Sequence, residues 1–342
     1  MQTPMSIPTT FNAFRIHSER HGHHRAGVES VSLDDLSPGE VVVKVACSSV
    51  NYKDALAGTG RGGVVRRFPL VGGLDLAGYV VSSTDPAFKE GDAVLCTGCG
   101  LTEDRDGGYA EYARLEAKSV IPLPAGLSLR EAMILGTAGF TAALALLRME
   151  ANGQRPEMGP VVVTGATGGV GMLSIDVLSR AGYEVHAITG KFDRLDELLA
   201  LGATQVIDRH GLHWGQRPLE RATWAGAIDT VGDEMLAGLT RHVKPWGNIV
   251  SCGLAGGTAL ATTVIPFILR AVSLLGVSAS NAPRPLREQV WQRLAGPWKP
   301  ANIERIHTRS VGLDGLAATF SAMLAGAAFG RTLVEIDPTA AN

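Results

Sequence analysis

Apolar and polar positions along the chain fall into two regimes. In the first third the apolar runs are short and broken by turn residues: 40–49 reads as a strand, and further runs follow at 76–81 and 93–96, separated by Gly, Pro and Asp. The pattern changes over 122–126. After it, 129–150 has helical periodicity with no internal proline, which predicts one long helix. Beyond that point strand-like runs at 161–164, 184–188, 205–208, 227–229, 248–252 and 274–277 alternate with helical stretches such as 169–181 and 193–201. Such alternation predicts βαβ units and a parallel sheet buried on both faces. The tail differs again, with helical patterns over 283–294 and 312–325 and a terminal strand over 331–336. The expected division is a β-rich first domain over 1–125, an α/β domain over 126–279, and a return to the first domain over 280–342.

A chain of 342 residues exceeds the size at which one hydrophobic core usually stops growing, which agrees with two domains. Lys plus Arg number 31 against 33 Asp plus Glu, so no broad positive surface awaits a polyanion. Nucleic acid and membrane surfaces are therefore not expected partners. The first twenty residues lack the basic start and apolar stretch of a signal peptide, and no 18 apolar residues run together, so the expected location is cytoplasmic. Cys47, Cys96, Cys99 and Cys252 are too few for a disulfide framework and read as reduced thiols.

The most informative stretch is Val161-Val-Val-Thr-Gly-Ala-Thr-Gly-Gly-Val-Gly171, an apolar strand that runs into a glycine-rich turn and then a helix. A dinucleotide pyrophosphate needs the free amides of a helix N-terminus and residues without side chains, so that the backbone can come close. Gly168, Gly169 and Gly171 meet that need, with Ala166 where the usual pattern begins on glycine. The bland reading is a glycine-rich loop that packs a helix on a sheet. Strand, turn and helix in this order favour the dinucleotide. Eighteen residues past Gly171 the second strand ends in Thr189-Gly190-Lys191, with no carboxylate to accept from a free ribose, and Arg209 follows the third strand. Hydroxyl, glycine and cations suit the 2′-phosphate of NADPH; the alternative is that Lys191 and Arg209 are ordinary solvated cations.

Together with this turn, Ser48-Ser-Val-Asn-Tyr-Lys-Asp54, Ala225-Gly-Ala-Ile-Asp-Thr-Val-Gly232, Cys252-Gly-Leu-Ala-Gly-Gly257 and Pro266-Phe-Ile-Leu-Arg270 resemble the medium-chain dehydrogenase/reductase superfamily. More narrowly, they resemble its quinone-oxidoreductase branch and the acryloyl-CoA reductase family within it, over residues 41–335. The resemblance implies an α/β fold with a Rossmann doubly wound parallel sheet, a GroES-like β-barrel catalytic domain, and a homodimer. It also assigns NADPH contacts to Tyr52, Thr167, Gly168, Gly169, Val170, Thr189, Gly190, Lys191, Arg209, Gly253, Phe267 and Ser278. Lys191 stands where the narrower family has arginine, which keeps the charge and loses a bidentate grip.

Zinc-dependent members of the superfamily hold their metal with a cysteine and a Gly-His-Glu histidine. Here those positions read Asn51 and Gly73-Leu74-Asp75, so no zinc is expected. Cys96-x-x-Cys99 is half a structural zinc site and reads as two plain thiols. His21-Gly-His-His24, with His17 nearby, reads as a solvated hairpin loop. Without a Lewis acid the reaction must place a hydride donor against an electron-poor carbon and stabilise the enolate formed beside a carbonyl, which fits a conjugated alkene. Tyr52, with Asn51 beside it, is the candidate for proton donation or contact with the nicotinamide edge, against the plainer reading of a packing tyrosine. Arg61, Arg66 and Arg67 are either an anchor for CoA phosphates or a solvated loop. The function expected from the resemblance is NADPH-dependent reduction of a short enoyl-CoA, acryloyl-CoA to propanoyl-CoA. The alternatives are reduction of a quinone or enone, and a non-catalytic NADPH-binding protein.

Overall fold

In the computed structural model, which describes residues 7–19 and 24–340, the chain starts with an antiparallel hairpin of β1 (Phe11–Ser18) and β2 (His24–Val31). The sequence reading has a hairpin loop at 21–24 but no strands on either side of it. β1 buries Phe11, Ala13, Phe14 and Ile16, but most of β2 is exposed or half-exposed and so carries little apolar signal. β3 (Val41–Val50) is buried along nearly its whole length and leads into α1 (Tyr52–Gly58). β4 (Leu70–Val71), β5 (Asp75–Ser83), β6 (Ala93–Thr97), β7 (Tyr112–Leu115) and β8 (Ile121–Pro122) follow. Next comes α2 (Leu129–Ala151), then β9 (Val161–Thr164), α3 (Gly169–Arg180), β10 (Val185–Thr189), α4 (Leu195–Ala200), β11 (Gln205–Asp208) and β12 (Trp224–Asp229). The rest comprises α5 (Asp233–His242), β13 (Val243–Ser251), α6 (Ile265–Leu269), β14 (Ser273–Gly276), α7 (Arg284–Ala295), α8 (Ile303–Ile306), β15 (His307–Val311), α9 (Leu316–Leu324) and β16 (Arg331–Glu335).

The chain divides into two units. The first takes in the chain up to Thr137, then Ser280–Glu288, and everything from His307 onward. Its larger sheet runs β15-β16-β3-β5-β6-β8, with β7 also paired to β3, and a smaller sheet runs β2-β1-β4. The terminal strand rejoins this unit by pairing antiparallel with the end of β3, Leu333 opposite Ser49. Val43, Val45, Leu76, Val80, Val94 and Leu115 form one core between the strands. Phe14, Tyr109 and Phe320 form a second, in which α9 packs its apolar face toward α1. Burying such a phenylalanine is worth ~2–3 kcal/mol.

The second unit is Ala138–Ala279 with Gln289–Ile306. Its six parallel strands lie in the order β11-β10-β9-β12-β13-β14, the doubly wound arrangement whose chain order reverses between β9 and β12. The central strand β9 reads as an unbroken apolar run, and its Val161, Val162 and Val163 are fully buried, whereas the edge strands β11 and β14 carry exposed positions.

Two boundaries differ from the sequence reading, for one reason. α2 is not a single helix: Gly136 sits at φ 49°, ψ −154° and breaks it, and the units divide just after, at Thr137. A Cβ on Gly136 would lie 2.6 Å from Asp75 Oδ2 and 2.7 Å from Arg331 Nη2, so only glycine lets this point of the chain meet those side chains. The start of α2 therefore belongs to the first unit, tied there by Cys47 Sγ donating to Leu129 O and Arg331 Nε to Ile134 O. In the same way the chain returns to the second unit at 289–306: Trp291 stacks near Phe140, and Asp176 accepts from the amides of Ala301 and Asn302. α2 is long and apolar enough to cross a membrane by composition, yet 83% of its most apolar window is buried within the fold.

Candidate functional site

In the second unit the site residues gather at the carboxyl ends of the parallel strands, where a doubly wound sheet places its ligands. β9 ends at Thr164, and Gly165, at φ 58°, turns the chain toward α3. Gly168 is the N-cap of α3 and offers no side chain, so the first-turn amides at Gly169, Val170 and Gly171 have no side-chain cap. Gly171 is where the turn closes on itself: a Cβ there would sit 2.3 Å from Gly165 O and 2.8 Å from Ala166 Cα. Thr167 is buried, its hydroxyl 3.3 Å from that of Thr189, and Thr189 Oγ1 accepts from the Lys191 amide at 2.9 Å.

β10 and β11 pair in parallel with Thr189 opposite Asp208, which brings Gly190 beside Arg209. A Cβ on Gly190 would lie 2.5 Å from Arg209 Nε, so the guanidinium lies against that glycine and joins Lys191 at one strand end. Partial burial lowers the Lys191 ammonium's pKa and Arg194 lowers it further, while Asp193 opposes them. Lys191 and Arg209 thus follow the ends of the neighbouring strands β10 and β11. Gly253 lines a cavity of about 340 Å³ with Leu236, Ser251, Leu254 and Val277. It is pressed against β12's end, where a Cβ would be 2.3 Å from Thr230 O. Ser278 is exposed, next to Val277, and Phe267 is half-buried against the core of Trp224, Leu239 and Val272.

Sequence reading passed over the group that holds these strand ends together. Thr164 Oγ1 donates to Asp229 Oδ1 at 2.6 Å and accepts from the Thr230 amide, while Asp229 Oδ2 accepts from the Gly232 amide at 2.8 Å. Burial raises the Asp229 carboxyl's pKa, and these donors counter it. A carboxylate closing an otherwise apolar strand, in Ala-Ile-Asp, was the available signal.

In the first unit, Asn51 caps α1 and Tyr52 is its first residue, 44% exposed. Asn51 is enclosed, its side-chain amide donating to Asp75 Oδ2 at 2.7 Å and to Asp54 Oδ2 at 3.2 Å, while its Oδ1 accepts from Arg331 Nη1 at 3.0 Å. Asp75 further accepts from Ser49 Oγ at 2.6 Å and from the Thr137 amide and hydroxyl at 2.9 and 2.6 Å. Asp54 accepts from the amides of Asn51 and Leu74. Arg331, fully enclosed, also donates to Val50 O and Ser49 Oγ. Burial pushes the Asp54 carboxyl up to about 6, Asp75's charge adding to the shift and its amide donors resisting it. Burial likewise lowers the pKa of Arg331, against the pull of Asp75 and Asp54. This hub was not legible in the sequence, since its members come from 49–54, 75, 137 and 331.

Lys53 pairs with Glu103, as does Arg66 at 3.3 Å; Arg67 pairs with Asp106 at 2.6 Å, and Arg61 is exposed. Two of the three loop arginines are thus engaged by carboxylates. His17 meets Glu29 at 2.9 Å and His24 stacks near Phe68, whereas His21 and His23 lie outside the described residues. All four cysteines are free.

Two family models match the chain: "Alcohol dehydrogenase GroES-like domain" over residues 37–125 and "Zinc-binding dehydrogenase" over 169–296. Acrylyl-CoA reductase AcuI of Ruegeria pomeroyi is 43% identical over 329 residues, covering 96% of this chain and 99% of its own. YhfP of Bacillus subtilis, named as a quinone oxidoreductase, is 44% identical over 310 residues, 90% of this chain and 94% of its own. Its structure with NAD bound has a TM-score of 0.93 to this fold, covering 96% of this chain and 100% of that one. An oxidoreductase of Salmonella enterica, solved in complex with NADP, has a TM-score of 0.91 at 44% identity, covering 95% and 99%. The residues here do not fit a catalytic zinc: Leu74 has no donor atom, the Asn51 oxygen accepts from a guanidinium, and both Asp75 oxygens are engaged by hydrogen bonds. With a GroES-like first unit, a doubly wound second unit and near-full-length relatives, the chain belongs to the medium-chain dehydrogenase/reductase superfamily, among the proteins similar to quinone oxidoreductases and acrylyl-CoA reductases.

Proposed function

We propose that this protein uses NADPH to reduce the activated carbon–carbon double bond of a short enoyl-CoA, with acrylyl-CoA giving propanoyl-CoA. The observation that carries the reading is the 43% identity to the Ruegeria acrylyl-CoA reductase along essentially both whole chains. NADPH, when bound, supplies the hydride that ends on the β-carbon of the thioester. The amides from Thr167 to Val170 are suited to its pyrophosphate, because α3 starts without a side-chain cap and Gly171 keeps the turn tight. Thr189, Gly190, Lys191 and Arg209 form the 2′-phosphate grip. Gly253, Phe267 and Ser278 are the remaining contacts that the family likeness supports.

Tyr52 is the residue of the first unit whose exposed phenol can donate a proton or meet the cofactor. Asn51 is a positioning residue, since its side chain is committed to Asp75, Asp54 and Arg331 and fixes the start of the helix that carries Tyr52. A homodimer agrees with the exposed Val264, Ile268 and Leu269 near β14, the unpaired edge of the parallel sheet. The free thiols agree with a cytoplasmic setting.

A second reading, quinone or enone reduction, is favoured by the likeness to YhfP. The deciding measurement is NADPH oxidation with acrylyl-CoA, a quinone and a simple enone in parallel, each with and without a chelator. The highest kcat/KM is expected with acrylyl-CoA, with propanoyl-CoA as product and no effect of the chelator. A higher kcat/KM with the quinone would replace the substrate assignment, and loss of activity on chelation would overturn the metal-free chemistry.

A further inference from the structure

The thiols of Leu95-Cys-Thr-Gly-Cys-Gly-Leu101 have no part in the reaction proposed above, yet they are built into an unusual turn. Cys96 lies within β6, opposite Leu76 of β5, fully buried in the core of the larger sheet. The chain then leaves the strand through three consecutive residues in the left-handed region, Gly98 at φ 68°, Cys99 at φ 54° and Gly100 at φ 81°. Two are glycines, for which this costs little, but Cys99 has a side chain that rarely adopts it. The turn is held there from outside. The Cys99 amide donates to Ser280 O at 3.3 Å, and Gly98 lies so close to Ser280 that a Cβ would come within 2.7 Å of its Cα. As a result Cys99 folds back onto the core that contains Cys96, and each thiol shifts the other's pKa.

The two sulfurs are not equivalent. Cys99 is only partly buried, and Arg287 and Ser119 lie beside it. The hydrogen bond from Cys96 lowers the pKa of Cys99, helped by the Arg287 cation and the Ser119 hydroxyl and opposed by burial and Glu116. The same bond, with full burial, raises that of Cys96. The other two cysteines are internal controls: burial pushes Cys47 and Cys252 each up to about 12. Only the thiolate is an effective nucleophile, so this contrast separates one reactive sulfur from three inert ones.

We propose that Cys96 and Cys99 are a peroxide-oxidisable dithiol, with Cys99 as the attacking sulfur and Cys96 as the resolving one. The Cys99 thiolate attacks one oxygen of a hydroperoxide; an S–O bond forms, the O–O bond breaks, and the other oxygen leaves with a proton as water or alcohol. The Cys96 sulfur then attacks the sulfur of the resulting sulfenic acid, the S–O bond breaks, and the departing hydroxide takes the Cys96 proton as water. The two sulfurs have lost two electrons to the peroxide and share a disulfide. A dithiol reductant reverses it by thiol–disulfide exchange.

The test treats the full-length folded protein with hydrogen peroxide, removes the peroxide, blocks the remaining thiols with N-ethylmaleimide in denaturant, and analyses the tryptic peptide 90–105, which holds both cysteines. That peptide is expected unlabelled and lighter by two hydrogens, with its thiols restored by dithiothreitol, while Cys47 and Cys252 stay labelled. In Cys96→Ser, dimedone should trap a sulfenic acid on Cys99; in Cys99→Ser, Cys96 should stay reduced. Without peroxide, Cys99 should alkylate at least ~10-fold faster than Cys47 and Cys252 in the folded protein. Equal oxidation of all four cysteines, or a peptide 90–105 that keeps both thiols, overturns the proposal. If the serine variants fail to fold, the wild-type peptide mass decides alone.

Discussion

The two units each set a helix start next to a strand end, and they finish it in opposite ways. In the first unit α1 is closed by its own side chains: Asn51 and Asp54 form a reciprocal cap, and Asp75 and Arg331 lock that cap from below. In the second unit α3 is left open, with Gly168 at the cap and glycine at the tightest point of the turn. A helix start capped by its own side chains competes with a ligand for its amides, whereas a bare one is a ready anion site. The first arrangement holds a residue, Tyr52, in place; the second leaves its amides without a side-chain cap.

Three substitutions test that contrast. The largest effect is expected for Arg331→Met, which removes the cation enclosed with Asp75 and Asp54 and leaves two buried carboxylates uncompensated. A loss of ~3–5 kcal/mol in urea unfolding is expected, and adding Asp75→Asn should recover part of it. A change within experimental error would show that the hub is not what fixes α1. Next is the pH dependence set by Asp54, whose folded value of about 6 exceeds the ordinary 3.8. The folded state therefore holds this proton more tightly than the unfolded chain. The contribution is complete below about pH 4 and is lost as the pH climbs through about 6, a swing of ~3 kcal/mol. Wild type should lose stability across that window relative to Asp54→Asn, and parallel profiles would remove the assignment. The smallest effect is at the open helix's neighbour: Lys191→Glu should weaken NADPH ~10–100-fold while leaving NADH nearly unchanged. Equal loss for both would move the 2′-phosphate elsewhere.

How far the sequence could be read follows the same contrast. The glycine turn, Thr189 to Lys191 and Arg209 lie within two consecutive βαβ units, so strand ends and spacing sufficed to list them together. That Arg209 lies against Gly190 follows from the parallel register of β10 and β11, which spacing implies only loosely. The hub beneath Tyr52 was out of reach: Asn51 was singled out, but Asp75 looked like a failed metal position and Arg331 like the start of a terminal strand. The strands β1 and β2 that flank the expected hairpin loop were not read because β2 is largely exposed, and the break in α2 because a glycine inside an apolar helix carries no local stop signal.

By itself the sequence determined the parallel sheet and the strand, glycine turn and helix over 161–180, because period, glycine placement and strand-to-helix order are local and backbone-driven. Tertiary structure alone decided where α2 breaks, which carboxylates surround Arg331, and that Ser280 holds the turn that carries Cys99. Those outcomes depend on charge, burial and close approach between residues far apart in the chain, and such distances do not exist until the chain is packed.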